Sequence, residues 1–134
     1  MKPRCRAFLV EDNPRNLESL IPALAEMAGA EVVGFVQRED DALDWLAQHA
    51  AEVDVVVLDM FLLQGTGLGV LNGMRERGID STVVGLTNHA TDETRARFSA
   101  AGADAVFDKM EESEAFFEFL DTLVVKNRPG FARS

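Results

Sequence analysis

The chain has 134 residues, room for one domain with a real core and none for a second. Thirteen Lys and Arg stand against 23 Asp and Glu, a net charge of −10 with no basic block, which speaks against a nucleic-acid-binding surface. A single cysteine, Cys5, cannot form an internal disulfide and suits a reducing compartment. In the opening MKPRCRAFLVED only Ala7 to Val10 are apolar before acids arrive, too short for a signal peptide. No run approaches the ~18 apolar residues of a membrane span. The expectation is a cytoplasmic protein without membrane insertion.

In chain order, short apolar and β-branched runs fall at Arg6–Val10, Glu31–Val36, Val53–Leu58, Thr82–Leu86 and Ala105–Phe107. Each is nearly continuous, as strands covered on both faces are. Helical spacing fills the intervals: Leu17, Leu20, Ile21 and Leu24; Ala42, Trp45 and Leu46; Leu68, Leu71 and Met74; Ala96, Phe98 and Ala101; and Phe116, Phe117, Leu120, Leu123 and Val124. Asn13 with Pro14, Thr91 with Asp92 and Glu93, and Ser113 with Glu114 open the first, fourth and fifth helices. Gly29, Gly78 and Gly102 close three of them. Five alternations imply an α/β fold, a doubly wound parallel sheet with right-handed crossovers, and the most apolar strand, the third, at its centre. Residues 1–125 form the domain; residues 126–134, KNRPGFARS, are expected to be a loosely ordered tail.

In such sheets ligands bind beyond the carboxyl ends of the strands. The first strand ends at Glu11 and Asp12, the third at Asp59, the fourth at Thr87 and the fifth at Lys109. Neighbouring carboxylates repel one another and resist leaving water, so a strand gains nothing by ending on two of them unless something positive meets them. Three converging carboxylates call for a hard cation, and with few protein ligands Mg²⁺ fits better than a full Ca²⁺ cage. A carboxylate beside Mg²⁺ can attack phosphorus, and Asp59 on the central strand is best placed to do so. The metal, a lysine and a hydroxyl together can neutralise the phosphoryl oxygens.

The motifs VEDNPRN, VVVLDMFLLQGTGLGVL, VVGLTNHA and GADAVFDK, in that order, resemble those of the response-regulator receiver domain of two-component signalling, over Arg6 to Val125. The resemblance implies a flavodoxin-like (βα)5 fold with strand order 2-1-3-4-5. It implies that Glu11, Asp12, Asp59 and the backbone carbonyl of Phe61 hold Mg²⁺, and that Asp59 accepts the phosphoryl group. Lys109 would pair with a phosphoryl oxygen, and Thr87 would move to hydrogen-bond it. Gly67 matches the family glycine before the third helix. The implied donor is a phosphohistidine on a histidine kinase or histidine phosphotransfer protein. The receiver catalyses its own phosphorylation and slow dephosphorylation and turns over no external substrate. The whole reads as a stand-alone regulator that changes its protein-binding face for a downstream partner, or relays the group to another histidine protein.

Four positions depart from the family pattern. Met110 follows Lys109 where proline is usual, so a trans Lys109–Met110 peptide and a reshaped loop are expected. Val106 stands where an aromatic switch residue is common, with Phe107 pointing to the opposite face of its strand. Leu63 replaces a loop proline, an exchange expected to leave that loop freer. Asn88, Phe61 and His89 flank the site with bulk that should shield an acyl phosphate from water.

Other readings fit less well. Glu11 and Asp12 alone would be a solvated strand end, Thr87 alone a cap, and Lys109 alone a surface lysine. Only their conjunction at one sheet edge points to chemistry. Gly65 to Gly69 is superficially similar to a dinucleotide fingerprint but lacks its spacing and its place in the first crossover, so it reads as turn and helix start. His49 and His89 are too isolated for zinc; His49 reads as a surface histidine and His89 as a tuning group at most. Trp45, Leu46, Phe116, Phe117 and Phe119 read as core, with part of the fifth helix a possible docking face. An aspartyl-nucleophile phosphatase needs a second acid two residues after the nucleophile, where Phe61 stands. A flavin carrier would find the acidic EDNPRN loop repelling its phosphate. The main alternative is a phosphorylation-independent interaction module on the same fold, which Glu11, Asp12, Asp59, Thr87 and Lys109 argue against and Val106 and Met110 leave open.

Overall fold

The computed structural model describes residues 5–88 and 90–126. His89 and residues 127–134 of the expected tail lie outside the described residues. Five strands alternate with five helices: β1 (Cys5–Val10), α1 (Pro14–Ala28), β2 (Ala30–Val36), α2 (Glu39–His49), β3 (Val55–Leu58), α3 (Gly67–Glu76), β4 (Thr82–Thr87), α4 (Asp92–Ala100), β5 (Ala105–Asp108) and α5 (Ser113–Lys126). All pairings are parallel and the sheet order is β2-β1-β3-β4-β5, with β3 in the middle. This is the doubly wound, flavodoxin-like arrangement that the alternation implies.

Strand period two divides the core into two layers. Ala7, Leu9, Val55 and Val57 pack with Leu17 and Leu24 of α1 and Phe116 and Leu120 of α5. Phe8, Val10, Val56 and Leu58 point the other way, onto Leu46, Leu71, Met74 and Phe98 of α2, α3 and α4. Trp45 stacks on Phe8 with ring centroids 4.1 Å apart. It fits because Gly34 lies beneath it: a Cβ there would stand 2.9 Å from the indole. Gly34 is brought opposite Phe8 by a bulge, since Ala7 pairs with Val32 and Phe8 with Gly34.

The helix boundaries follow their caps. The Asn13 side chain accepts from the Arg15 N–H at 2.9 Å with Pro14 as first residue, and the Thr91 side chain accepts from the Thr94 N–H. Gly29 closes α1 with φ +60°, a left-handed conformation that costs glycine nothing. Most strand ends lie within a residue of expectation, and two boundaries differ in ways the hydrogen bonds or helix length show. Val53 does not begin the third strand: a 3-10 turn at Ala50–Glu52 precedes it, and the Val53 N–H bonds back to the Ala50 carbonyl. Lys126, expected to open the tail, is the last residue of α5. Among the described residues no helix is long and apolar enough to cross a membrane.

Cys5 is buried at the start of β1, and that burial, with a smaller push from Asp54, raises its thiol pKa to about 12. At pH 8 the thiolate is then on the order of one molecule in ten thousand, and the thiolate is the reactive form. The native protein should therefore stay unlabelled by a chromogenic disulfide reagent, with labelling appearing at the rate of global unfolding; rapid stoichiometric labelling of folded protein would contradict this packing.

Candidate functional site

The carboxyl edge of the sheet gathers the predicted side chains because β1, β3, β4 and β5 are adjacent there. Backbone bonds continue the ladder past the strand ends: Glu11 N–H to the Val36 carbonyl, Asp59 N–H to the Val10 carbonyl and Lys109 N–H to the Thr87 carbonyl, each 3.0 Å. Glu11, Asp59 and Thr87 are buried and Asp12 is half-buried. Carboxylate oxygens of Glu11, Asp12 and Asp59 lie within 4.8 Å of one another.

Lys109 ties this cluster together. Its Nζ donates to Asp59 Oδ2 at 2.9 Å and also to Glu11 Oε1. The other oxygen of each acid is held by backbone: Asp59 Oδ1 by the Met60 N–H at 2.7 Å, Glu11 Oε2 by the Asn13 N–H at 3.0 Å. One ammonium thus serves two buried carboxylates, with Asp12 beside them. Burial raises the Asp59 pKa, the Glu11 charge adds to the rise, and the Lys109 charge and the Thr87 hydroxyl only partly offset it. Burial alone would lower the Lys109 pKa, but its bonds to Glu11 and Asp59 outweigh this and raise it. Lys109 stays charged, and the acidic set remains in excess.

That excess, presented as carboxylate oxygens from the loops after β1 and β3, fits a hard divalent cation that keeps several waters. Asp12, Asp59, Phe61, Thr87 and Asn88 line the cleft. Phe61 sits in the loop after β3 and is 71% exposed. Thr87 is less firmly placed than the acids: its hydroxyl donates to the Asn88 carbonyl at 3.4 Å, a weak bond. Gly67 starts α3 directly under the phosphoacceptor candidate; its N–H donates to the Met60 carbonyl at 2.9 Å, and a Cβ would come 2.0 Å from the Asp59 carbonyl oxygen.

The family model described as "Response regulator receiver domain" matches residues 7–121. The chain belongs to that family. No curated protein sequence matches it significantly. Among solved structures, this receiver is similar to a two-component response regulator of the LuxR family from Aurantimonas, at 19% identity over 98% of this chain and 94% of that one, with TM-score 0.82. It is similar to the receiver domain of a sensor histidine kinase from Pseudomonas aeruginosa, solved with a magnesium ion coordinated in the active site cleft, at 22% identity over 92% and 99% with TM-score 0.74. The CheX-CheY-BeF3-Mg+2 complex from Borrelia burgdorferi matches at 14% identity over 88% of each chain with TM-score 0.77.

Three of the departures are now visible in this receiver. The described residues contain no cis peptide bond, so the Lys109–Met110 bond is trans as expected, and Met110 is 80% exposed. Val106 packs with the Phe98 layer, while Phe107 joins Phe116 and Phe119 on the opposite face. The loop around Leu63 is not freer, contrary to expectation. A proline has no N–H, whereas Leu63 uses its own to bond the Gln37 carbonyl at 2.9 Å, and the neighbouring residues are similarly fastened.

Sequence reasoning missed a network beside Lys109. Buried Asp108 accepts from the N–H groups of Ala90, Met110 and Glu111 at 2.8–3.1 Å. The Arg95 guanidinium donates to the carbonyls of Ala90 and Val106 and to Glu112, whose carboxylate also takes the Asp108 N–H. The loops after β4 and β5 are thereby joined. The only signal was the acid just before Lys109, and an acid ahead of a helix reads as a cap.

An acid whose pKa is raised in the folded state favours folding when protonated. That contribution is complete below its ordinary value, near 4, and is lost as pH rises through the raised value. At neutral pH, without divalent metal, Asp59 therefore opposes folding. Asp59→Asn should raise the thermal midpoint at pH 7, with the difference shrinking as pH falls. A variant less stable than wild type in metal-free buffer at pH 7 would refute this.

Proposed function

We propose that this receiver accepts a phosphoryl group on Asp59 from a phosphohistidine of a histidine kinase or histidine phosphotransfer protein. It would do so in the cytoplasm and signal through a protein-binding face. The observation that carries the reading is the Lys109 ammonium held 2.9 Å from a buried Asp59 inside a three-carboxylate cluster. Burial of an acid in such a cluster opposes folding, so a catalytic use explains its presence better than a structural one.

In the transfer an Asp59 carboxylate oxygen forms the P–O bond as the P–N bond to the donor imidazole breaks. Bound Mg²⁺ would supply neutralisation and orientation of the phosphoryl oxygens. Glu11, Asp12, Asp59 and the Phe61 carbonyl are the groups to hold it. Lys109, already charged and bonded to Asp59, would move its donation from the carboxylate to a phosphoryl oxygen. Thr87, whose hydroxyl makes a weak 3.4 Å bond to the Asn88 carbonyl and already interacts with the Asp59 carboxylate, would turn towards that oxygen. Its displacement would pull on Ala90, which Asp108 and Arg95 tie to β5 and the start of α5. A local charge change thus reaches a surface without an aromatic residue at position 106.

The test is transfer from a radiolabelled phosphohistidine donor. Wild type should become labelled in Mg²⁺, Asp59→Asn should not, and Lys109→Ala should be slowed by at least about 100-fold, the scale of losing an electrostatic stabiliser. Equal labelling of wild type and Asp59→Asn would refute the assignment, and no labelling of wild type by any donor would favour the phosphorylation-independent module. Asn88 and Phe61 are exposed at the cleft wall. Asn88→Ala should shorten the lifetime of the phosphorylated form severalfold by admitting water; an unchanged decay rate would remove the shielding role.

A further inference from the structure

We propose that the corner between β2 and α2, residues Gln37 to Asp40, is a brace for the cation-binding loops, and that Glu39 within it is a positioning residue for the divalent cation. The inference rests on the reading of the cleft as a Mg²⁺-dependent phosphoacceptor site. None of these residues belongs to the acidic cluster.

The corner grips two loops. The Gln37 side chain donates from Nε2 to the Asp12 carbonyl at 3.2 Å, and its backbone carbonyl accepts from Leu63 at 2.9 Å. Glu39 N–H donates to the Gln64 carbonyl at 2.8 Å, and Asp40 N–H to Gln64 Oε1 at 3.0 Å. Glu39 Oε1 then accepts from the Thr66 N–H at 3.0 Å. Thr66 is paired in an antiparallel bridge with Phe61, so the chain of contacts runs from Glu39 through Thr66 to the residue whose carbonyl, on the proposed function, would help hold the cation. The Thr66 hydroxyl is engaged with Gly69 N–H at 3.0 Å, which leaves Glu39 to satisfy the Thr66 amide.

The space for this carboxylate is built in. A Cβ at Gly65, where φ is +80°, would lie 2.3 Å from Glu39 Oε1, and one at Gly69 would lie 2.1 Å away. The glycine-rich GTGLG segment thus houses the Glu39 carboxylate. Leu63 supplies an N–H that a proline in this place would lack, so the brace is a property of this chain. A backbone carbonyl on a loop binds a cation well only if the loop need not be ordered at that moment, and groups behind the ligands commonly change metal affinity by about 10–100-fold.

Calorimetric Mg²⁺ titration of wild type, Glu39→Gln, Glu39→Asp and Glu39→Ala, each first shown folded by circular dichroism, separates geometry from charge. Gln keeps the acceptor and its reach but loses the charge; Asp keeps the charge and loses the reach. Affinity should fall about tenfold in Ala and Asp and stay within about twofold in Gln, and metal-free hydrogen exchange over residues 61–66 should quicken in Ala and Asp only. If Ala does not fold, Asp decides. Wild-type affinity in Asp, or weakening in Gln but not Asp, would overturn the brace while leaving the Mg²⁺ site standing. A wild type that binds no Mg²⁺ would overturn both.

Discussion

A single ammonium, Lys109 Nζ, lies between two buried carboxylates that belong to different strand ends, Glu11 and Asp59. The rest of the molecule can be understood as the means of holding that arrangement. Charges are buried at a cost of several kcal/mol each unless they are paired and hydrogen-bonded. Here the second oxygen of each acid takes a backbone N–H, and the two apolar layers supply the stability that the site lacks. Only an order that puts β1 beside β3, with β4 and β5 following, brings a lysine about 50 residues from Asp59 and about 98 from Glu11 within reach of both.

Around that centre the loops fall into two mechanical classes. The loops carrying Asp12 and Phe61 are fastened to the β2–α2 corner through Gln37 and Glu39 and offer a fixed frame. The loop carrying Thr87 holds its hydroxyl weakly but is wired by Ala90 to Asp108 and Arg95. On the proposed function, the fastened loops would serve as the frame and the Thr87 loop as the element that moves. Phe107 is packed among aromatic neighbours of the opposite layer, and the described contacts from the β4–α4 loop towards α5 are polar.

Much of this was legible in the sequence because the signals are local. Continuous apolar runs marked the strands, Asn13 with Pro14 and Thr91 marked helix starts, and the acids, Thr87 and Lys109 stood at the ends of the runs. Topology then placed them together, since parallel strands deliver all their carboxyl ends to one edge. What was not legible depends on contacts between segments distant in sequence. Glu39 is one of three acids in the first turn of α2, and its bond to Thr66 spans 27 residues. Leu63 looked like a loosened loop because the missing proline was visible and the gained N–H partner, Gln37, was not. Asp108, Arg95 and Glu112 share the same reason: their partners are backbone groups whose positions exist only in the fold.

The central claim is that the Lys109-bridged cluster is built for Mg²⁺-dependent phosphorylation of Asp59. It is tested most directly by intact-protein mass after exposure to a small acyl-phosphate donor, for wild type and Asp59→Asn, each with Mg²⁺ and with EDTA. The account predicts one added phosphoryl group on wild type with Mg²⁺ alone. An adduct that survives EDTA, or that forms equally on Asp59→Asn, would contradict it.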